Sequence, residues 1–164
     1  MFDTVLIAGL GLMGGSMGKT IKARTLSRVI GWNRTRRTAE QALADGAIDA
    51  IATDALFREA DLVIIGLYPQ ATVDWLLENM KKLKKGCVVV DMVGVKQFMV
   101  DRLEQAALDA GVHFVGGHPM AGREFSGLDF SLPTLFDGAS MIFVPTKSST
   151  ERVLEQLEAY FMSL

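Results

Sequence analysis

Two textures alternate along the chain. Short runs that are apolar at nearly every position (residues 5–8, 61–67 and 87–92) are separated by longer segments in which apolar residues recur every three or four places, as Val73, Leu76, Leu77 and Met80 do within residues 72–83. The unbroken runs predict strands covered on both faces of a parallel sheet, and the wider spacing predicts amphipathic helices crossing over it. The same reading places further strands at residues 27–32, 47–51, 112–115 and 140–144. Helices are predicted from the first glycine cluster to about residue 23, and at 38–44, 97–110 and 148–162. Gly46 and Gly111 stand where helices should end. Residues 123–138 read as loop with one short helix near 131–136. This alternation predicts a single α/β domain over residues 1–164, doubly wound, with helices on both faces of a mostly parallel sheet.

The junction after the first strand sharpens that expectation. Gly9-Leu10-Gly11-Leu12-Met13-Gly14 fits G-x-G-x-x-G, directly between a buried strand and a helix. In a Rossmann-type fold Gly9 allows the turn, Gly11 admits a pyrophosphate to the backbone and Gly14 lets helix pack on strand. The N–H groups of the helix start, at Leu12 and Met13, then face the phosphates. The alternative is a glycine-rich turn that binds nothing, and the position right after an N-terminal buried strand favours the first reading.

About twenty residues further on, an NAD site places an acid and an NADP site tolerates arginine. Here the chain reads Asn33-Arg34-Thr35-Arg36-Arg37. An aspartate about 4 Å from a 2′-phosphate would cost on the order of 4 kcal/mol at intermediate dielectric, and Asn33 removes that repulsion. Arg34 offers a forked, charge-assisted pairing, with Thr35 and Arg37 as helpers. The competing reading is a solvated first helical turn, although three cations sit badly against the positive end of a helix dipole. The expected cofactor is therefore NADP rather than NAD. Tyr68 and Pro69, after the strand at 61–67, fall where this architecture borders the nicotinamide; Tyr68 reads equally well as an ordinary part-buried tyrosine. Asp91 ends a strand beside a helix start, as either a cap or a cofactor contact.

Composition narrows the classes. No apolar run approaches the roughly 20 residues of a membrane span, and Asp3 sits where a signal peptide is basic, so a soluble cytoplasmic protein is expected. The net charge of −2 gives no reason to expect nucleic acid as a partner. The one cysteine, Cys87, lies in an apolar run and reads as a small buried hydrophobe; no zinc spacing is present.

Gly116-Gly117-His118-Pro119-Met120-Ala121-Gly122 is the second informative stretch. It places His118 just past the strand at 112–115, on a loop with little bulk around it. That suits a general base, since imidazole titrates near neutral pH. A loop histidine without a role is the plainer alternative. His113 reads as a packed strand side chain.

GLGLMGGS, DMVGVK and GGHPMAG together resemble the nucleotide-binding domain of the prephenate and arogenate dehydrogenases of tyrosine biosynthesis, over nearly the whole chain. The resemblance implies a small-molecule substrate, prephenate or arogenate, oxidised and decarboxylated with hydride transfer to the nicotinamide. It implies His118 as the catalytic base and Asp91 and Lys96 as the ends of a D-x-x-S-x-K segment. At that serine this chain has Gly94. The family's C-terminal helical domain, through which it usually forms a homodimer, is absent from this sequence. A noncatalytic NADP-binding module or redox sensor is the alternative from another class. A two-domain reductase of a small β-hydroxy acid or imine is a third reading, against which HPMAG argues.

Overall fold

The computed structural model describes residues 2–164. Seven strands form one sheet: β1 (Thr4–Ala8), β2 (Arg28–Trp32), β3 (Ala50–Ile51), β4 (Leu62–Ile65), β5 (Val88–Asp91), β6 (His113–Pro119) and β7 (Met141–Val144). Their order is β3-β2-β1-β4-β5-β6-β7. Every pairing is parallel except β6 with β7. The crossovers are α1 (Leu12–Arg24), α2 (Arg36–Ala44), α3 (Asp54–Phe57), α4 (Pro69–Asn79) and α5 (Lys96–Ala110), with α6 (Glu151–Met162) after β7. This is the doubly wound architecture expected from the pattern. Among the described residues, no helix is long and apolar enough to cross a membrane.

Because β1, β4 and β5 are covered on both sides, their side chains divide between two cores. Val5, Ile7, Leu62, Ile64, Val88 and Val90 pack on one face with α1 and α6 residues such as Ile21 and Leu157. Leu6, Ala8, Val63, Ile65 and Val89 pack on the other with Leu76 of α4 and Leu103 of α5. Cys87 is fully buried in the second core, and burial pushes its thiol up to about 12.

Several boundaries differ from the sequence expectation. The helix expected over 72–83 starts earlier, at Pro69, whose fixed φ suits a first turn, and gives way to a 3-10 turn at Met80–Lys82. The third strand is only two residues long, and α3, capped by Thr53, was not anticipated. No helix forms at 131–136. Ser131 and Pro133 instead give their carbonyls to Lys19 and Thr20 of α1, and the Leu132 N–H donates to Ser16, so these groups are engaged by α1 and the stretch keeps only turn bonds of its own, such as Leu135 N–H to Leu132 O and Asp137 N–H to Thr134 O. A 3-10 turn occupies Leu128–Phe130.

Asp61 pins the start of the sheet. Its carboxylate accepts from the N–H groups of Thr4 (2.8 Å) and Asp3 (3.0 Å) and pairs with Lys84. Burial by itself would raise this carboxyl, but the Lys84 bond and the two backbone donors outweigh it and hold it below the ordinary 3.8. A depressed carboxyl stabilises the fold above the unfolded value and loses that contribution as pH falls through the folded one. Urea melts of Asp61→Asn are accordingly expected to show lower stability at neutral pH and a shallower decline below about pH 4. A decline as steep as the parent's would refute the assignment.

Candidate functional site

At the carboxyl edge of the sheet, the chain leaves β1 through Gly9, which adopts φ +93° and donates its N–H to Trp32 O at 2.8 Å. The turn is very tight. A side chain at Gly14 would place its Cβ 1.8 Å from Gly9 O, whereas one at Gly11 would meet nothing within 4 Å. The first fact explains why helix α1 can leave the strand so abruptly; the second means that the backbone at Gly11 faces open space. Helix α1 has no side-chain cap and no acidic residue in its first turn. Its 13 residues therefore direct an uncompensated positive end, with the N–H groups of Leu12 and Met13, at that space.

A cleft of about 450 Å³ opens here, lined by Gly9, Gly11, Asn33, Arg34, Gly66 and Tyr68 among others. Asn33 contributes to the turn itself, accepting from Leu10 N at 3.0 Å while donating to Thr35 O at 3.2 Å. Its role thus extends beyond being uncharged. Arg34, Thr35 and Arg37 are exposed, and neither arginine has an ion-pair partner among the described residues; Arg36 is paired with Glu40 at 2.8 Å. Tyr68 is 83% exposed at the start of α4, and Pro69 is the helix's first residue. The cleft also takes Trp75, Asp74 and Glu78 from α4, which sequence reasoning missed. Their i, i+1, i+4 spacing was visible, but nothing in the sequence indicated which face of α4 borders the turn.

Asp91 is placed differently from its expected role. The carboxylate is completely buried and accepts from the N–H of Gly117 (2.9 Å) and of Val93 (3.2 Å) and from Lys96 Nζ (2.6 Å). Lys96 Nζ also donates to the carbonyl of Gly117. The ion pair therefore grips both sides of one residue, immediately before His118. Burial draws the Lys96 ammonium below its ordinary 10.5 despite the neighbouring carboxylate. The paired glycines are required by the same packing: a Cβ at Gly116 would lie 2.9 Å from Lys96 Cδ, and one at Gly117 2.4 Å from Asp91 O.

His118 does not sit on a loop beyond the strand. Strand β6 continues through Pro119 because β7 pairs with it, His118 opposite Ile142. Local sequence carries no sign of this extension, since the partner strand lies more than twenty residues further on. β6 runs parallel to β5, with Val115 beside Val90, so His118 lies at the carboxyl edge of the sheet, the same rim as the glycine turn. The ring is half-buried, and its Nδ1 is sealed from solvent without a hydrogen-bond partner. His113 is different: its Nδ1 lies 2.6 Å from Ser148 O, well away from this rim at the start of β6.

The open backbone at Gly11, the uncapped helix start and the cleft residues after β2 fit a nicotinamide dinucleotide.

Comparison with known proteins bears on what such a cleft serves. The family model described as "Prephenate dehydrogenase, nucleotide-binding domain" matches residues 17–164. Prephenate dehydrogenase of Bacillus subtilis is 36% identical over 162 residues, covering 96% of this chain and 43% of its own length. A crystal structure of prephenate dehydrogenase from A. aeolicus, in complex with hydroxyphenyl propionate and NAD+, superposes with a TM-score of 0.89 at 28% identity, covering 99% of this chain and 57% of that one. The crystal structure of Synechocystis arogenate dehydrogenase gives 0.87 at 25% identity, with 95% and 55% covered. The chain spans about half the length of the curated relatives it matches.

Proposed function

Since the chain belongs to the nucleotide-binding domain family of the prephenate dehydrogenases, we propose that residues 1–164 form the NADP-binding, catalytic domain of a cytoplasmic dehydrogenase that oxidatively decarboxylates prephenate or arogenate. The observation that supports it most is the placement of His118 on the rim that carries the glycine turn. The dinucleotide, when bound, supplies the hydride acceptor. Gly9, Gly11 and Gly14 shape its seat, the N–H groups of Leu12 and Met13 meet its pyrophosphate, and Arg34, helped by Thr35 and Arg37, holds the 2′-phosphate. Tyr68 and Pro69 border the path from that seat toward β5. His118 takes the proton of the substrate's ring hydroxyl as carbon dioxide departs. Asp91 and Lys96 position it by fixing Gly117.

The 2′-phosphate assignment has a direct test. Trp32 and Trp75, the chain's two tryptophans, line the cleft, so their fluorescence reports dinucleotide binding. Arg34→Ala removes charged hydrogen bonds of about 1.5–3 kcal/mol, and NADP affinity is expected to fall about 10- to 100-fold while NAD affinity stays within a factor of about two. Equal loss for both would overturn it.

The unpartnered Nδ1 of His118 favours a second reading, a dinucleotide-binding module without turnover. NADPH formation from either substrate by this chain would eliminate that reading.

A further inference from the structure

The rim of the sheet opposite the glycine turn carries a second cleft, of about 410 Å³, a volume typical of small-molecule sites. It lies where Asp61 leads into β4, Lys85 leads into β5, His113 begins β6 and α6 presents Arg152. Phe2, Val88 and Val153 are buried and give it an apolar floor. Asp61 is the one carboxylate among the described lining residues, and it is already held by Lys84 and by the N–H groups of Asp3 and Thr4. Lys85 and Arg152 have no ion-pair partner among the described residues. Arg152 also stands in the first turn of α6, where a cation opposes the helix dipole. Two uncompensated cations thus meet over a concave, partly apolar surface, which concentrates positive potential.

His113 adds a donor that depends on its charge. Its Nδ1 lies 2.6 Å from the carbonyl of Ser148, which can only accept, so the neutral ring keeps its proton there. Ser148 is itself buried, with its hydroxyl accepting from Phe114 N–H at 2.8 Å, and the ring is anchored from behind. Nε2 then carries a lone pair, and donates only when the ring takes a second proton. The charged groups lining the cleft around it are Asp61, Lys84, Lys85 and Arg152; Glu104 of α5, on the far side of Ser148, is spent on Lys147.

We propose that this cleft binds a tetrahedral oxyanion, the phosphate of a small metabolite. Arg152 offers forked donors, Lys85 a point charge and doubly protonated His113 its Nε2–H. Binding takes up a proton at His113 and weakens as pH rises. The site is separate from the dinucleotide seat and stands whatever reaction the opposite rim performs.

The test is a titration of the ¹⁵N-labelled chain with sulfate, whose charge is constant near neutral pH, exchanged for chloride at fixed ionic strength so that general screening does not change. Inorganic phosphate serves as the second probe. Saturable shifts are expected in the amide signals of Gly86, His113 and Arg152. Signals of Gly11, Leu12 and Met13 report any anion at the dinucleotide seat separately. Lys85→Ala with Arg152→Ala should weaken binding about 10-fold or more, the loss of at least one charged hydrogen bond. Both side chains are exposed, so this variant keeps its fold, and an unchanged spectrum elsewhere verifies it. Sulfate affinity should fall between about pH 6 and pH 8.5 in the parent, but not in His113→Gln, whose amide still donates to Ser148 O and does not titrate. Absence of saturable shifts on this rim, equal affinity in the double variant, or an undiminished pH dependence in His113→Gln would overturn the proposal.

Discussion

His118→Asn is expected to slow prephenate- or arogenate-dependent NADPH formation about 10²- to 10⁴-fold, the usual contribution of a positioned general base. Asparagine keeps a planar polar group of similar reach but cannot take a proton near neutral pH. The ring lies on the rim of the glycine turn without lining the dinucleotide cleft, so NADP affinity should stay within a factor of about two. That split between turnover and binding distinguishes a lost base from a damaged fold. The assay is initial velocity at saturating dinucleotide, on the polypeptide at its natural length. An unchanged rate would remove His118 from the reaction.

The second large effect concerns stability. Lys96→Met keeps most of the aliphatic stem but strips the ammonium from Asp91, whose carboxylate is completely buried. Removing one member of a buried pair leaves an uncompensated charge and typically costs about 3–5 kcal/mol, a large share of the 5–15 kcal/mol that holds a domain together. For a chain of this size each kcal/mol moves Tm by about 2–4 °C, so a drop of roughly 6–20 °C is expected. Adding Asp91→Asn to Lys96→Met should recover part of the loss, because the stranded charge is then gone while a carbonyl oxygen still accepts from Gly117 N–H. A loss below about 1 kcal/mol, as for an exposed pair, would mean that the grip on Gly117 is incidental.

The parts of this molecule legible in its sequence are those fixed by neighbours along the chain. β1, β4 and β5 are apolar runs because both faces are covered, and the glycine turn is dictated by packing so close that a Cβ at Gly14 would lie 1.8 Å from Gly9 O. What escaped reading depends on partners distant in sequence. The extension of β6 to Pro119 requires β7, and the failure of residues 131–136 to form a helix reflects carbonyls claimed by Lys19 and Thr20. Asp91 looked equally like a cap and a cofactor contact; its capture by Gly117, 26 residues later, makes it a brace within the protein. Asn33 was read as the mere absence of an acid, yet it also holds Leu10 in the turn. The His118 motif was recognisable, but the isolation of its Nδ1 emerged only once Gly94 was set beside it in space.

The central claim is geometric, and a crystal structure of the NADP+ complex tests it most directly. The account predicts the pyrophosphate against the N–H groups of Leu12 and Met13, the 2′-phosphate at Arg34, and the nicotinamide turned toward the β5–β6 edge. A single substrate molecule would then hold its reacting carbon about 3–3.5 Å from the nicotinamide and its hydroxyl within about 3 Å of His118. A nicotinamide directed toward β3, or too far from His118 for one substrate to bridge them, would contradict it.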